Sequence, residues 1–448
     1  MTNMTLDEVN HKIEKNKENS IEFLSKFLKI PSIAAKGTGA EEAIDFLSKS
    51  FEEANFDYFL AETPGNPVFC AEMNVNAEKT ILFYDHYDVQ PEDPIELWES
   101  PPFEPSIRDG KIFARGVSDN KGEIVCRLQA IKAYNEIFEE PPVNIKFVIE
   151  GEEEVGSPNL PYFVKNNKDF ALKANGCIWE FGGRDGDGIQ QVYLGVKGIL
   201  YLHLKTKTIG RDVHSGYTQF VDNAAYELTW ALSALKNRND KILVPGFYDN
   251  IEEPSEEDMK IIEEFPLKEN LFKENFGIDK FRMNLKGLEL KKKYFLEPTC
   301  NICGQWSGYQ GPGGKTVTPN EAFAKVDFRL VPGQDANDLI EKIRKYWDAN
   351  NFQHIEITEW DGYPAAKTSI NDPFAKSVIK VIKEIENHNP IIWPMVGGSG
   401  PMYLFEGVPC ISIGCGHSKS NAHAPNENIY IDDFVIGMKT IAKLIHEF

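Results

Sequence analysis

Apolar positions in the first part of the chain recur with two different periods. Ile21, Leu24, Phe27 and Leu28 share one helical face that Pro31 ends, and a second helix is predicted over 39–54. Short β-branched and aromatic runs predict strands at 68–73, 80–84, 145–149 and 176–181. Between them, Ile124, Leu128, Ile131 and Tyr134 mark a stripe on a helix over 121–138. Helices alternating with wholly apolar strands predict an α/β layer with a largely parallel sheet.

The pattern changes near Gly195. Leu200, Leu202 and Leu204 alternate with Tyr201, His203 and Lys205, as in a strand with one wet face. A helix over 223–236 follows, then a charged stretch to Lys293 with little periodicity. Further strands are predicted at 299–306, 322–330 and 355–360, with a helix at 336–349. The α/β pattern resumes after Asp372 and ends in a helix with Phe434, Met438, Ile441 and Ile445 on one face. The expected fold is α/β with two domains: a catalytic domain in two parts (1–195 and 365–448) and an inserted α+β lid, 196–364.

Composition narrows the function. The formal charge of −21 argues against nucleic acid or an anionic membrane as partner, and no apolar run approaches a membrane span. The first twenty residues lack a signal peptide's apolar core, and seven scattered cysteines do not suggest a disulfide framework. A cytoplasmic protein with reduced thiols is expected.

Candidate chemistry gathers at strand ends. The stretch 144–158, NIKFVIEGEEEVGSP, runs an apolar strand into Glu150, Glu152, Glu153 and Glu154. Carboxylates this close repel one another, so a cation, here a pair of metal ions, is expected beside them. His86 ends another apolar strand, with Asp88 two residues on; Asp119 lies in GVSDNKG before a helix, where an N-cap is the simpler role. His11, His388 and His446 read as solvated, His203 as a wet-face residue and His354 as a strand start. The segment 311–316, GPGGKT, lacks the first glycine of a phosphate loop, and the Cys300/Cys303 pair has possible zinc partners only at the distant Cys410 and Cys415.

Together HYDVQP, GVSDNKG, EGEEEVGSP, VHSG, DFRLVP, GGSGP and HAPNE resemble, in order and over nearly the whole chain, the di-zinc hydrolases. That superfamily includes carnosine dipeptidases, acetylornithine deacetylase and succinyl-diaminopimelate desuccinylase. The resemblance implies a phosphorylase/hydrolase-like α/β catalytic domain, a lid that dimerises, and a co-catalytic pair of divalent ions, zinc or its substitutes manganese and cobalt. It implies His86, Asp119, Glu154, Glu180 and His423 as ligands, with Asp119 bridging and Glu180 standing where many dipeptidase-like relatives have Asp. His417 competes with His423, but its HSKS context departs from the pattern. Glu153 is implied as general base to a water shared by both ions, and Asp88 as the residue that orients His86. His214, Arg329 and Ser399 are implied as substrate contacts: His214 at the scissile carbonyl, usually across a dimer, and the other two at a free carboxylate. Glu150 and Glu152 acquire no role beyond shaping the loop. The activity implied is cleavage of an amide bond in a small substrate, a dipeptide foremost; the alternatives are an N-acyl-amino-acid deacylase and a non-enzymatic binding protein on the same fold.

Overall fold

The apolar strands assemble into an eight-stranded sheet in the order Asp57–Ala61, Val68–Met73, Asn144–Glu150, Thr80–His86, Gly176–Trp179, Cys410–Ser412, Gln191–Tyr193 and Ile391–Trp393. In this computed structural model, which describes residues 5–448, the four central strands run parallel, while Asp57–Ala61 and Val68–Met73 extend one side antiparallel. Asn144–Glu150 and Thr80–His86 are buried at every position after the first. Strands covered on both faces have no wet side, which is why their sequences read as continuous apolar runs.

Helix Lys121–Phe138 packs against Ile431–Glu447, Leu6–Lys15 and Lys17–Leu28. Its apolar stripe is buried, but so are Gly122, Cys126, Arg127, Ala130 and Ala133 on its other sides. It is an interior helix, not an amphipathic one. Arg127 is tolerated inside because Asp85 accepts from it at 2.7 Å and the carbonyls of Tyr84 and Trp179 accept at 3.0 and 2.8 Å. His446, expected in solvent, is paired: its Nδ1 lies 2.8 Å from Tyr134 Oη.

Backbone contacts divide the chain into two compact units. The unit just described holds the chain up to Gly195, Lys367–Pro394 and Leu404–Phe448; the other holds Val196–Ala366 together with Met395–Tyr403. The second unit is built on a four-stranded antiparallel sheet ordered Asn301–Ser307, Glu321–Leu330, Gly198–Lys207 and Ile355–Tyr363. Burial along Gly198–Lys207 alternates, with Leu200, Leu202 and Leu204 inward. Helices Ala224–Leu235 and Ala336–Ala349 supply Leu228, Leu232, Leu235, Leu339, Ile343 and Trp347 to the same core. Each such side chain, fully buried, contributes roughly 1.5–3 kcal/mol.

The charged stretch before Lys293 is more ordered than its periodicity suggests. It forms helices Glu256–Glu264, Glu269–Phe276 and Gly287–Leu296. Ser255 starts the first with a capping box to Asp258, whereas the second buries no side chain. Helices that bury so little leave a weak apolar period, and capping becomes the more informative signal.

Candidate metal centre

The C-terminal ends of the parallel strands place their residues at one edge of the sheet, where open α/β sheets hold ligands. His86 ends Thr80–His86 and is in register with Glu150; Glu180 directly follows Gly176–Trp179. Asp119 arrives from the turn that precedes helix Lys121–Phe138. Asn120, beside it, does not cap that helix with its side chain. Its amide instead accepts from His86 N at 3.2 Å and donates to Glu180 O at 2.6 Å, tying two strand ends to the turn before the helix. His423 comes from the loop before Asn428–Tyr430, with φ +62°.

These side chains form two pockets that share one carboxylate. Asp119 Oδ1 is 2.9 Å from His86 Nε2, which is 3.4 Å from Glu180 Oε2. Asp119 Oδ2 is 2.9 Å from His423 Nε2, which is 3.0 Å from Glu154 Oε2. Each pocket thus offers an imidazole and two carboxylates, a donor set suited to zinc, manganese or cobalt. Glu153 stands beside the first pocket, where its carboxylate, Glu180 and His86 present ligand atoms within 4.8 Å of one another.

The electrostatics call for added positive charge. Burial, then Asp119 and Glu154 against the relief from His86, push Glu153 up to about 7. Burial and Glu153 raise Glu180 well above the ordinary carboxyl range. Hydrogen bonds to Asp119 and Glu154 lift His423 to about 10, and those to Asp119 and Asp88 raise His86 despite its burial. The acidic neighbours thus favour the cationic form of both imidazoles. A ligating imidazole is neutral, so divalent ions would supply that charge instead and release those protons. The residues present fit such ions.

Asp88 does more than face His86. Its Oδ1 lies 3.4 Å from His86 Nδ1, while its backbone oxygen is nearer, at 3.0 Å. The carboxylate also accepts from Glu153 N at 3.2 Å and Glu154 N at 3.0 Å, so one side chain holds the acidic turn and faces the imidazole. Gln90, to which the HYDVQP motif by itself assigns no role, donates from Nε2 to Glu154 Oε2 at 2.8 Å. Glu150 accepts from Tyr84 Oη and from Ser157 Oγ, the latter at 2.8 Å, and Glu152 accepts from Asn159 at 2.7 Å. Both stay on the loop's framework. His417 is engaged elsewhere, with Nε2 3.0 Å from Asn428 Oδ1.

His214, Arg329 and Ser399 all belong to the second unit. Arg329 Nη1 donates to Ser399 Oγ at 2.7 Å, and Ser399 Oγ donates to Gly198 O at 3.0 Å. A guanidinium and a hydroxyl so joined offer a fork and a donor to a carboxylate. His214 is exposed; its Nδ1 accepts from Gly216 N at 3.0 Å and its Nε2 lies 3.3 Å from Thr316 Oγ1.

Comparison with known proteins agrees with this chemistry. The sequence signature of peptidase family M20/M25/M40 matches residues 82–447. Human Beta-Ala-His dipeptidase is 30% identical over 86% of this chain and 78% of its own length. The Cys-Gly metallodipeptidase dug1 of Schizosaccharomyces pombe is 26% identical over 99% of this chain and 98% of its own. The crystal structure of an M20 family metallo-carboxypeptidase from Sulfolobus solfataricus superposes with a TM-score of 0.87 at 38% identity, covering 95% of this chain and 98% of that one. The chain therefore belongs to peptidase family M20/M25/M40 and is a metal-dependent peptidase.

Proposed function

We propose that this peptidase is a dipeptidase, cleaving the amide bond of small peptides that end in a free carboxylate, and that it works with two divalent ions, zinc by preference. The observation that carries this reading is the pair of pockets divided by Asp119, one oxygen to each imidazole. His86, Asp119 and Glu180 would hold one ion, and Asp119, Glu154 and His423 the other. The chemistry such a pair supplies when bound is polarisation of the scissile carbonyl and a lowered pKa for water.

The chain's own residues do the rest. Glu153 takes a proton from the attacking water and delivers it to the leaving amine. Asp88 holds the Glu153 turn and orients His86. Arg329 and Ser399 grip the substrate's carboxylate, and His214 polarises the scissile carbonyl. Relatives named as dipeptidases across 86–99% of this chain support a dipeptide substrate over an N-acyl amino acid. A second reading, a carboxypeptidase on longer peptides, is favoured by the 38%-identical structure named as one.

A homodimer is part of this proposal. Strand Asn301–Ser307 is an edge of its sheet with Ile302 and Trp306 exposed, and Tyr226 and Trp230 are exposed on helix Ala224–Leu235. Apolar, aromatic surface on a free sheet edge is a common seat for a second copy. A cytoplasmic site fits the seven cysteines, all of them free. Among the described residues no helix is long and apolar enough to cross a membrane.

The test is a hydrolysis screen of dipeptides, longer peptides, amino-blocked dipeptides and N-acyl amino acids, with zinc, manganese or cobalt added to chelator-treated enzyme. Turnover of free dipeptides above all others is expected, with none before metal is added. Preference for longer or blocked peptides would favour the carboxypeptidase. Glu153→Gln should lower kcat at least 10²-fold while two ions per chain remain bound. Retained turnover in that variant would place the base elsewhere.

A further inference from the structure

The loop that carries His423 ends at Glu427, a residue to which none of the roles above falls. Its side chain is fully buried, with an exposure of 0%. Oε2 accepts from Arg115 Nη1 at 2.7 Å and from Gly116 N at 2.9 Å. Oε1 accepts from Ser118 N at 2.8 Å and from Asp119 N at 3.0 Å. Four donors fill both oxygens of one carboxylate. Three are consecutive-turn backbone amides, which curl around the anion as a nest. Gly116, at φ +84°, is what lets the turn curl.

One end of this contact is the backbone of Asp119, and the other is four residues past His423 in sequence. Glu427 O also accepts from Ala114 N at 3.1 Å, and Asn428–Tyr430 pairs antiparallel with Lys111–Phe113. Asn426 braces the same loop, donating to Leu97 O at 2.9 Å and accepting from Glu99 N at 2.9 Å. His423 itself is half-exposed, so its loop depends on these anchors. The His86–Glu180 side differs: both residues leave adjacent parallel strands, and Asn120 ties them to each other. On that side the sheet holds His86 and Glu180, and only the shared Asp119 is tied to Glu427.

We infer that Glu427 is a positioning residue that sets the pocket of Asp119, Glu154 and His423 by holding the His423 loop against the Asp119 turn. It matters less to the other pocket, where His86 and Glu180 are fixed by the sheet and only Asp119 reaches Glu427. Glu427 touches no ion and no substrate. Its effect is to fix the separation between two loops that each deliver one donor to the same ion. Glutamine cannot replace it, because both carboxylate oxygens face two donors, and the amide NH₂ would meet N–H groups whichever way it turned.

This inference rests on the two-ion reading, and the test separates the two. Zinc is titrated into chelator-treated full-length protein against a competing chelator, giving a dissociation constant for each ion. Wild type should bind two ions; fewer would overturn the two-ion reading. In Glu427→Gln one constant should weaken about 10–100-fold, the range for lost partners of metal ligands, while the other moves less than about threefold. Raising zinc should then restore the stoichiometry of two. A folded variant with both constants unchanged, or both weakened alike, overturns the inference. Should Glu427→Gln not fold, Glu427→Asp, which keeps the charge on a shorter arm, makes the same comparison with a smaller selective loss expected.

Discussion

Buried charge inside the first unit is handled residue by residue, and Glu123 is buried with only part of its charge compensated. Its carboxylate accepts from Cys415 N, and burial, only partly offset by Arg127, pushes its pKa from the ordinary 4.5 up to about 7. Between these two values the folded protein keeps a proton that the unfolded chain has released. Stability from this group is therefore full below about 4.5 and falls as pH rises through 7. Glu123→Gln, which mimics the protonated form, should gain on wild type by a few kcal/mol between pH 5 and pH 8. Urea unfolding of chelator-treated protein at both pH values checks this; a pH-independent difference between the two would refute it. Among the residues that gather around the shared carboxylate, His86, Asp119, Glu154 and His423 were marked by motif order along the chain. Gln90, Asn120 and the double duty of Asp88 were not. Each acts through hydrogen bonds to partners remote in sequence, and no residue type announces that.

At the scale of elements, interior helices break the rule by which they are recognised. Lys121–Phe138 and Ile431–Glu447 pack against each other, and at Gly437 the second helix passes directly over two thiols. A Cβ there would lie 2.6 Å from Cys415 Sγ and 2.9 Å from Cys126 Sγ. Alanine would gain about 1 kcal/mol of helix propensity. Overpacking costs about 1–3 kcal/mol, and the shorter contact is well inside van der Waals distance, so the loss should win. Gly437→Ala is expected to lower the urea midpoint, and adding Cys415→Ala should recover part of it; an unchanged or higher midpoint in the single variant would count against this packing. Strands told a simpler story, since buried central strands and the alternating Gly198–Lys207 differ in pattern for the same reason that they differ in burial. The helices between Glu256 and Leu296 were hidden by their charge, as they cover little core.

Assembly into a dimer belongs to the scale of the whole molecule. If His214 serves the metal centre of a second copy, neither a His214→Ala chain nor a Glu153→Gln chain is active alone, yet a mixed dimer has one complete site. Equimolar mixing after subunit exchange should recover about a quarter of wild-type activity, because half the dimers are mixed and each has one working site of two. No recovery from a mixture that light scattering shows to be dimeric would place His214 in its own chain's site. By itself the sequence determined the central strands and the helices with a strong apolar stripe, the change of pattern near Gly195, and the residue types delivered at the strand ends. Those are local properties, written in periodicity and in short motifs. Only tertiary structure decided which oxygen of Asp119 meets which imidazole, and that Glu427, 308 residues from Asp119, cradles its backbone. The physical reason is that hydrogen bonds act over about 3 Å, so their partners are fixed by packing and leave no period in the chain.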